Sequence, residues 1–143
     1  MKKEHYPIER FYEMHKKDFS KALEEIKRER KSSHWMWYIF PQLRFLGKSE
    51  IAIYYGIEDI HEARAFYEDS YLGGNLREIC EALLECETEN PLIVMGYPDN
   101  IKLCSCMTLF YIATEDVLFK KVIDKFYGGK FDELTAVYIE NHQ

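Results

Sequence analysis

Apolar residues recur along most of this chain at steps of three and four. Phe19, Ala22, Leu23 and Ile26 fall at i, i+3, i+4 and i+7, with lysine, glutamate and arginine filling the other positions to about Lys31. Leu72, Leu76, Ile79 and Leu83 repeat the pattern, as do Leu103, Met107, Phe110 and Tyr111, then Phe119, Val122, Ile123 and Phe126. An α-helix gathers such positions onto one face, whereas a strand scatters them over two. No segment alternates apolar and polar residues between hairpin turns. The spacing predicts an all-α fold, an irregular array of seven to nine helices. At 143 residues the chain has room for one domain, residues 1–143, and no linker, low-complexity tract or fixed-period repeat divides it.

Several helix ends are legible. Pro7 suits the first turn of a short segment over Ile8–Met14. Ser49 reads as the N-cap of a helix ended at Gly56, and Asp59-Ile60-His61-Glu62 as a capping-box variant opening one through Tyr67. A long helix is expected from about Asn75 to Cys86, a short one from Asn90-Pro91 to Gly96, and another stopped by Gly128-Gly129. Leu134, Val137 and Tyr138 mark the last.

Composition excludes several classes. Hydrophobic residues are 47% and charged residues 31%, the mix of a globular chain rather than a disordered one. The longest apolar run, residues 35–40, is far short of the ~20 residues that span a bilayer. No apolar stretch follows the charged start, so a secretory signal and a membrane are not expected, and the cytoplasm is. Net charge is -6, divided as +5 over residues 1–48 and -11 over residues 49–143. An acidic chain is not expected to bind nucleic acid; the basic third either pairs with the acidic remainder or attracts a small anion. Cys80, Cys86, Cys104 and Cys106 lack zinc-ligand spacing, so reduced, metal-free thiols are expected. No Rossmann or P-loop glycine pattern occurs, and no cofactor is expected.

Ser32 to Leu43 resists the helical reading, being aromatic and apolar on every side, with Phe40-Pro41 pushing the backbone toward extended conformations. Such a segment threads the centre of the domain or lines a cavity. It offers His34 as a titratable group and candidate catalytic residue, Trp35 and Trp37 as stacking surfaces, and Gln42 as a two-way hydrogen bonder. Two residues apart, the indoles cannot share a helical face, so one packs in the core and the other lines a cleft. Lys48 and Ser49 add a cation and a helix start suited to an anion. Lys102, Ser105 and Thr108 form a polar stripe at three-residue steps on an otherwise apolar helix. A Cys–His pair (His34 with Cys104 or Cys106) and an acid–base pair of His34 with Glu62 are the catalytic alternatives.

These segments, His34-Trp-Met-Trp-Tyr-Ile-Phe-Pro-Gln42, Leu46-Gly47-Lys48-Ser49, Tyr55-Gly56-Ile57, Glu62-Ala63-Arg64 and Lys102-Leu103-x-Ser105-x-Met107-Thr108-Leu109-Phe110, together resemble a bacterial family. It is catalogued as domain of unknown function family 1810 and sometimes labelled calpastatin. The resemblance runs from about Ile8 to about Thr135 and implies an all-α helical array with no established activity. The calpastatin label conflicts with the composition, since those inhibitors are long disordered chains. Cys104 and Cys106 stand where relatives tend to carry Arg and Ser, so no phosphate-binding arginine carries over to position 104.

These residues support two functional expectations. In the first, the chain binds a small anionic ligand, a nucleotide or an ADP-ribose-like compound, with rings on Trp and phosphates on Lys; hydrolysis or N-glycosidic cleavage is the chemistry such a pocket would serve. In the second, the aromatic segment docks a partner peptide or a second copy of the chain without catalysis.

Overall fold

The computed structural model describes residues 3–142. Among them, nine α-helices and two 3-10 turns account for the regular structure, and the only extended pairing is a single parallel bridge between Leu43 and Ile57. The turn Ile8–Phe11 runs directly into α1 (Tyr12–Lys27), so the first two expected segments form one element. Short α2 (Met36–Ile39) and α3 (Glu50–Tyr54) flank the end of the aromatic segment. Next along the chain are α4 (Ile60–Glu68), α5 (Ser70–Glu85), α6 (Pro91–Met95), α7 (Asp99–Thr114), α8 (Val117–Tyr127) and α9 (Glu133–His142).

The caps act as their chemistry dictates. Ser49 Oγ accepts from the Ala52 amide at 3.2 Å, Asp59 from Glu62 at 3.0 Å, and Asn90 from Leu92 at 3.0 Å. Two expectations are corrected. Helix α5 begins at Ser70, five residues before Asn75, because Asp69 caps it (Leu72 amide to Oδ2, 2.9 Å). Gly73 sits so close to the end of α4 that a Cβ there would lie 1.9 Å from the Tyr67 carbonyl oxygen. The glycine is a packing requirement, not a break. On α9, Leu134 and Val137 face outward at 64% and 46% exposure, and Thr135 and Ile139 are buried instead.

Helix α7 is the axle of the domain. Every residue from Leu103 to Phe110 is buried, and α4, α6, α8 and α9 pack around it. A run of rings crosses the interior: Phe11 meets Phe66 edge-on at 4.9 Å, Phe66 meets Phe110 at 5.5 Å, and Phe110 meets Phe119 at 5.8 Å. The uneven charge is used across the fold. Lys3 and Arg44 pair with Glu58, Arg10 with Glu62 and Lys31 with Asp99, each joining a cation of the basic third to a later acid.

The bridge just after Pro41 fixes the end of the aromatic segment against the chain entering α4. The Ile57 amide donates to the Gln42 carbonyl at 2.9 Å, and the Arg44 amide to the Ile57 carbonyl at 2.8 Å. This approach depends on Gly56, where a Cβ would fall 2.5 Å from the Arg44 Cα. Gly56→Ala should therefore force the two segments apart and cost about 1–3 kcal/mol. Urea denaturation reads the loss, and a change within about 0.3 kcal/mol would show that the contact yields without penalty.

Candidate functional site

The carboxylate of Glu25, carried on α1, organises the loop that enters the aromatic segment. It accepts from the Ser32 and Ser33 amides at 2.8 and 3.0 Å, the Ser33 hydroxyl at 2.6 Å and the Trp35 indole N–H at 2.9 Å. Burial alone would raise this carboxyl, but the four donors outweigh it and hold the group down to about 2. Lys31 ties the loop from outside, donating to the Ser33 carbonyl at 2.6 Å and pairing with Asp99 at 2.8 Å. Fixed this way, the loop turns His34 outward and sends Trp35 into the core.

Trp35 is wholly buried, with its N–H committed to Glu25 and Lys31 lying 4.8 Å over its ring. It holds the fold and is not a ligand surface, which corrects its place among the candidates. Trp37, partly buried, is the indole that reaches the cleft.

The cleft has two lobes that meet at Lys102. The first, about 350 Å³, is walled by His34, Trp37, Tyr97 and Asp99. The second, about 520 Å³, is walled by Gln42, Lys48, Ser49, Ser105 and Asp132. Lys102 lines both, and also a small recess between them formed with Trp37, Gln42 and Tyr55. The fold thus brings His34 and Trp37 to one lobe and Gln42, Lys48, Ser49 and Ser105 to the other, with Lys102 lining both.

Their polar atoms differ in what they have left to offer. Among the described residues, the ammonium of the partly buried Lys102 makes no ion pair or hydrogen bond, and the Gln42 amide makes no side-chain bond. Ser105 Oγ donates weakly to the Ile101 carbonyl at 3.4 Å. The Ser49 hydroxyl is spent on capping, and α3 behind it is only five residues long, so the helix start expected to hold an anion is a single turn. Thr108 is wholly buried, its Oγ1 accepting the Asp132 amide at 2.9 Å. It is not a ligand group; it positions Asp132.

Three lining residues give no site signal in the sequence. Asp132 carries only the signal of an N-cap, three positions before Thr135; Tyr97 and Asp99 look like turn and cap residues beside Pro98. Tertiary packing alone delivers them to the groove.

The catalytic alternatives find no geometry. Burial pushes the Cys104 thiol up to about 11, with the Asp132 charge adding to it, and burial raises Cys106 well above the ordinary range. Both stay protonated and cannot serve as thiolates. Glu62 is fully buried against Arg10 at 2.6 Å and is not among the groove-lining residues. No cluster of three His, Cys, Asp or Glu able to hold a metal occurs among the described residues, nor is any helix there long and apolar enough to cross a membrane. Among the described residues, the larger lobe and its junction present neutral hydrogen bonders and two unpaired lysines against one carboxylate, beside the aromatic wall of the smaller lobe.

Residues 5–139 match the family described as Protein of unknown function (DUF1810). The fold is similar to the crystal structure of the conserved hypothetical protein Rv1873 from Mycobacterium tuberculosis, at 36% identity and a TM-score of 0.91, over 93% of this chain and 96% of that one. No curated protein matches the chain.

Proposed function

Because this chain belongs to the DUF1810 family, whose description carries no activity, we propose a function from the groove itself: binding of a nucleotide or ADP-ribose-like anion, base against Trp37 and phosphate at Lys102. The observation that carries this is the state of Lys102. Its ammonium has no partner among the described residues and so is available to an anion, and the side chain lines both lobes. Trp37 and Tyr97 supply ring faces in the adjoining lobe. Binding is favoured over hydrolysis because His34 stands on the rim with no hydrogen-bonded group among the described residues to orient its ring as a base.

A thermal-shift screen of nucleotides and sugar phosphates tests the reading. A ligand at a hundred times its Kd adds about 2.7 kcal/mol, which for a chain of this size is a rise in Tm of roughly 8–10 °C. Lys102→Met should leave the unliganded Tm within about 2 °C, since it orphans no partner. It should weaken binding about 10- to 100-fold, the worth of a charge-assisted hydrogen bond. Undiminished shifts in the Lys102 variant would overturn the assignment. The second reading, a docking module, rests on the apolar rim of Tyr97, Ile101 and Leu134, exposed by 77%, 50% and 64%. A solution mass that rises with concentration, with no nucleotide response, would favour it.

A further inference from the structure

Each lobe carries one carboxylate, but Asp99 of the smaller is paired with Lys31 at 2.8 Å whereas Asp132 of the larger pairs with no cation among the described residues, and that difference narrows the ligand class. The Trp37 lobe is the smaller, about 350 Å³ against about 520 Å³, and either volume suits part of a small molecule. With a base in the smaller lobe and phosphate at Lys102, whatever lies beyond the phosphate enters the larger one. There it meets a carboxylate.

Asp132 is rigidly placed. Its amide donates to Thr108 Oγ1 at 2.9 Å, and its Oδ2 accepts the Thr135 amide at 3.0 Å and the Thr135 hydroxyl at 2.6 Å. Oδ1 has no partner among the described residues. A fixed anionic oxygen repels a phosphate set against it and accepts strongly from a hydroxyl, whereas Lys48 of the same lobe is exposed and its charge is screened by solvent. Gln42 and Ser105 beside it are neutral groups that both donate and accept, as a polyhydroxyl requires. The exposed Ile101 offers an apolar surface for a sugar's C–H face.

We infer that the larger lobe takes the sugar of a nucleoside diphosphate sugar, read by the Asp132 carboxylate, so that ligands ending in a free phosphate bind less well. The inference rests on the nucleotide reading above. Isothermal titration of the full chain with ADP and with ADP-ribose tests it. ADP-ribose should bind at least tenfold more tightly than ADP. Asp132→Asn keeps an acceptor for Thr135, and so the α9 cap, but removes the charge. It should shrink the gap to within about threefold while ADP binding holds or tightens. Should that variant melt early, Asp132→Ser retains a capping oxygen and carries the same expectation. Equal affinity for ADP and ADP-ribose in the native chain, or a full gap surviving in the variants, overturns the sugar assignment and leaves the nucleotide reading standing. Binding of neither ligand overturns both.

Discussion

Glu62→Ala should strip about 3–5 kcal/mol from the folded state, the cost of breaking a buried ion pair from one side. The Arg10 and Glu62 side chains are only 8% and 0% exposed, and they meet at 2.6 Å. Glu62 Oε1 also accepts the Glu58 amide at 2.8 Å. The guanidinium further donates to the carbonyls of Tyr54 at 2.8 Å, Pro7 at 2.6 Å and Gly56 at 2.8 Å. Those carbonyls hold Arg10 in place after the carboxylate is gone, so a buried cation is left without its counter-charge. A domain of this kind has about 5–15 kcal/mol in total, so the loss is a large share of it. Equilibrium urea denaturation should show a much lower midpoint with an unchanged slope. Replacing both residues by methionine removes the stranded charge but leaves the Glu58 amide and the Tyr54, Pro7 and Gly56 carbonyls without these partners, so it should recover only part of the loss. A loss below about 1 kcal/mol in the single variant would mean that water reaches the site.

Elements whose signal is local were legible in the sequence. Apolar spacing and the Ser49, Asp59 and Asn90 caps placed the helices, because periodicity and cap chemistry act within a few residues. The two indoles parted, Trp35 to the core and Trp37 to the cleft, but Trp35 stands outside α2, with its N–H held by Glu25 rather than set by helical spacing. The misses have different causes. The start of α5 was missed because the Asp69 cap was not read, and Gly73 lies inside the helix, where its missing side chain admits the Tyr67 carbonyl. The apolar Leu134 and Val137 of α9 face outward because Asp132 and Thr135 fix the helix start with the threonine inward. Thr108 has the composition of a site residue, and only the returning chain at Asp132 shows what occupies it. Only Thr108 depends on a segment far along the chain; the Asp69 and Asp132 caps act locally, and apolar spacing carries none of this information.

Acid should destabilise the fold in two overlapping windows set by His15 and Glu25. His15 is 1% exposed, with Nε2–H donating to the Tyr38 carbonyl at 2.7 Å and Nδ1 accepting from the Asn75 amide at 3.1 Å. Burial lowers it from 6.5 to about 4, and the Tyr38 carbonyl only partly opposes this. Unfolded, the ring takes up a proton first. Its contribution is therefore whole above pH 6.5 and is lost as the pH falls toward 4. Glu25 is lowered from 4.5 to about 2, so its contribution is whole above pH 4.5 and lost as the pH falls toward 2. At about 1.36 kcal/mol for each pH unit, each window is worth about 3 kcal/mol. Urea midpoints measured from pH 7 down to pH 3 should fall continuously, steepening below pH 6. His15→Leu should flatten the upper part of the curve and keep the lower. Glu25→Gln should do the reverse while loosening the loop that carries His34 and Trp37. The slopes decide the matter, because each variant also lowers stability uniformly by stranding its former partners. A native curve flat between pH 7 and 4.5 would show that His15 takes up its proton without unfolding pressure, and that Asn75 and Tyr38 give way to it.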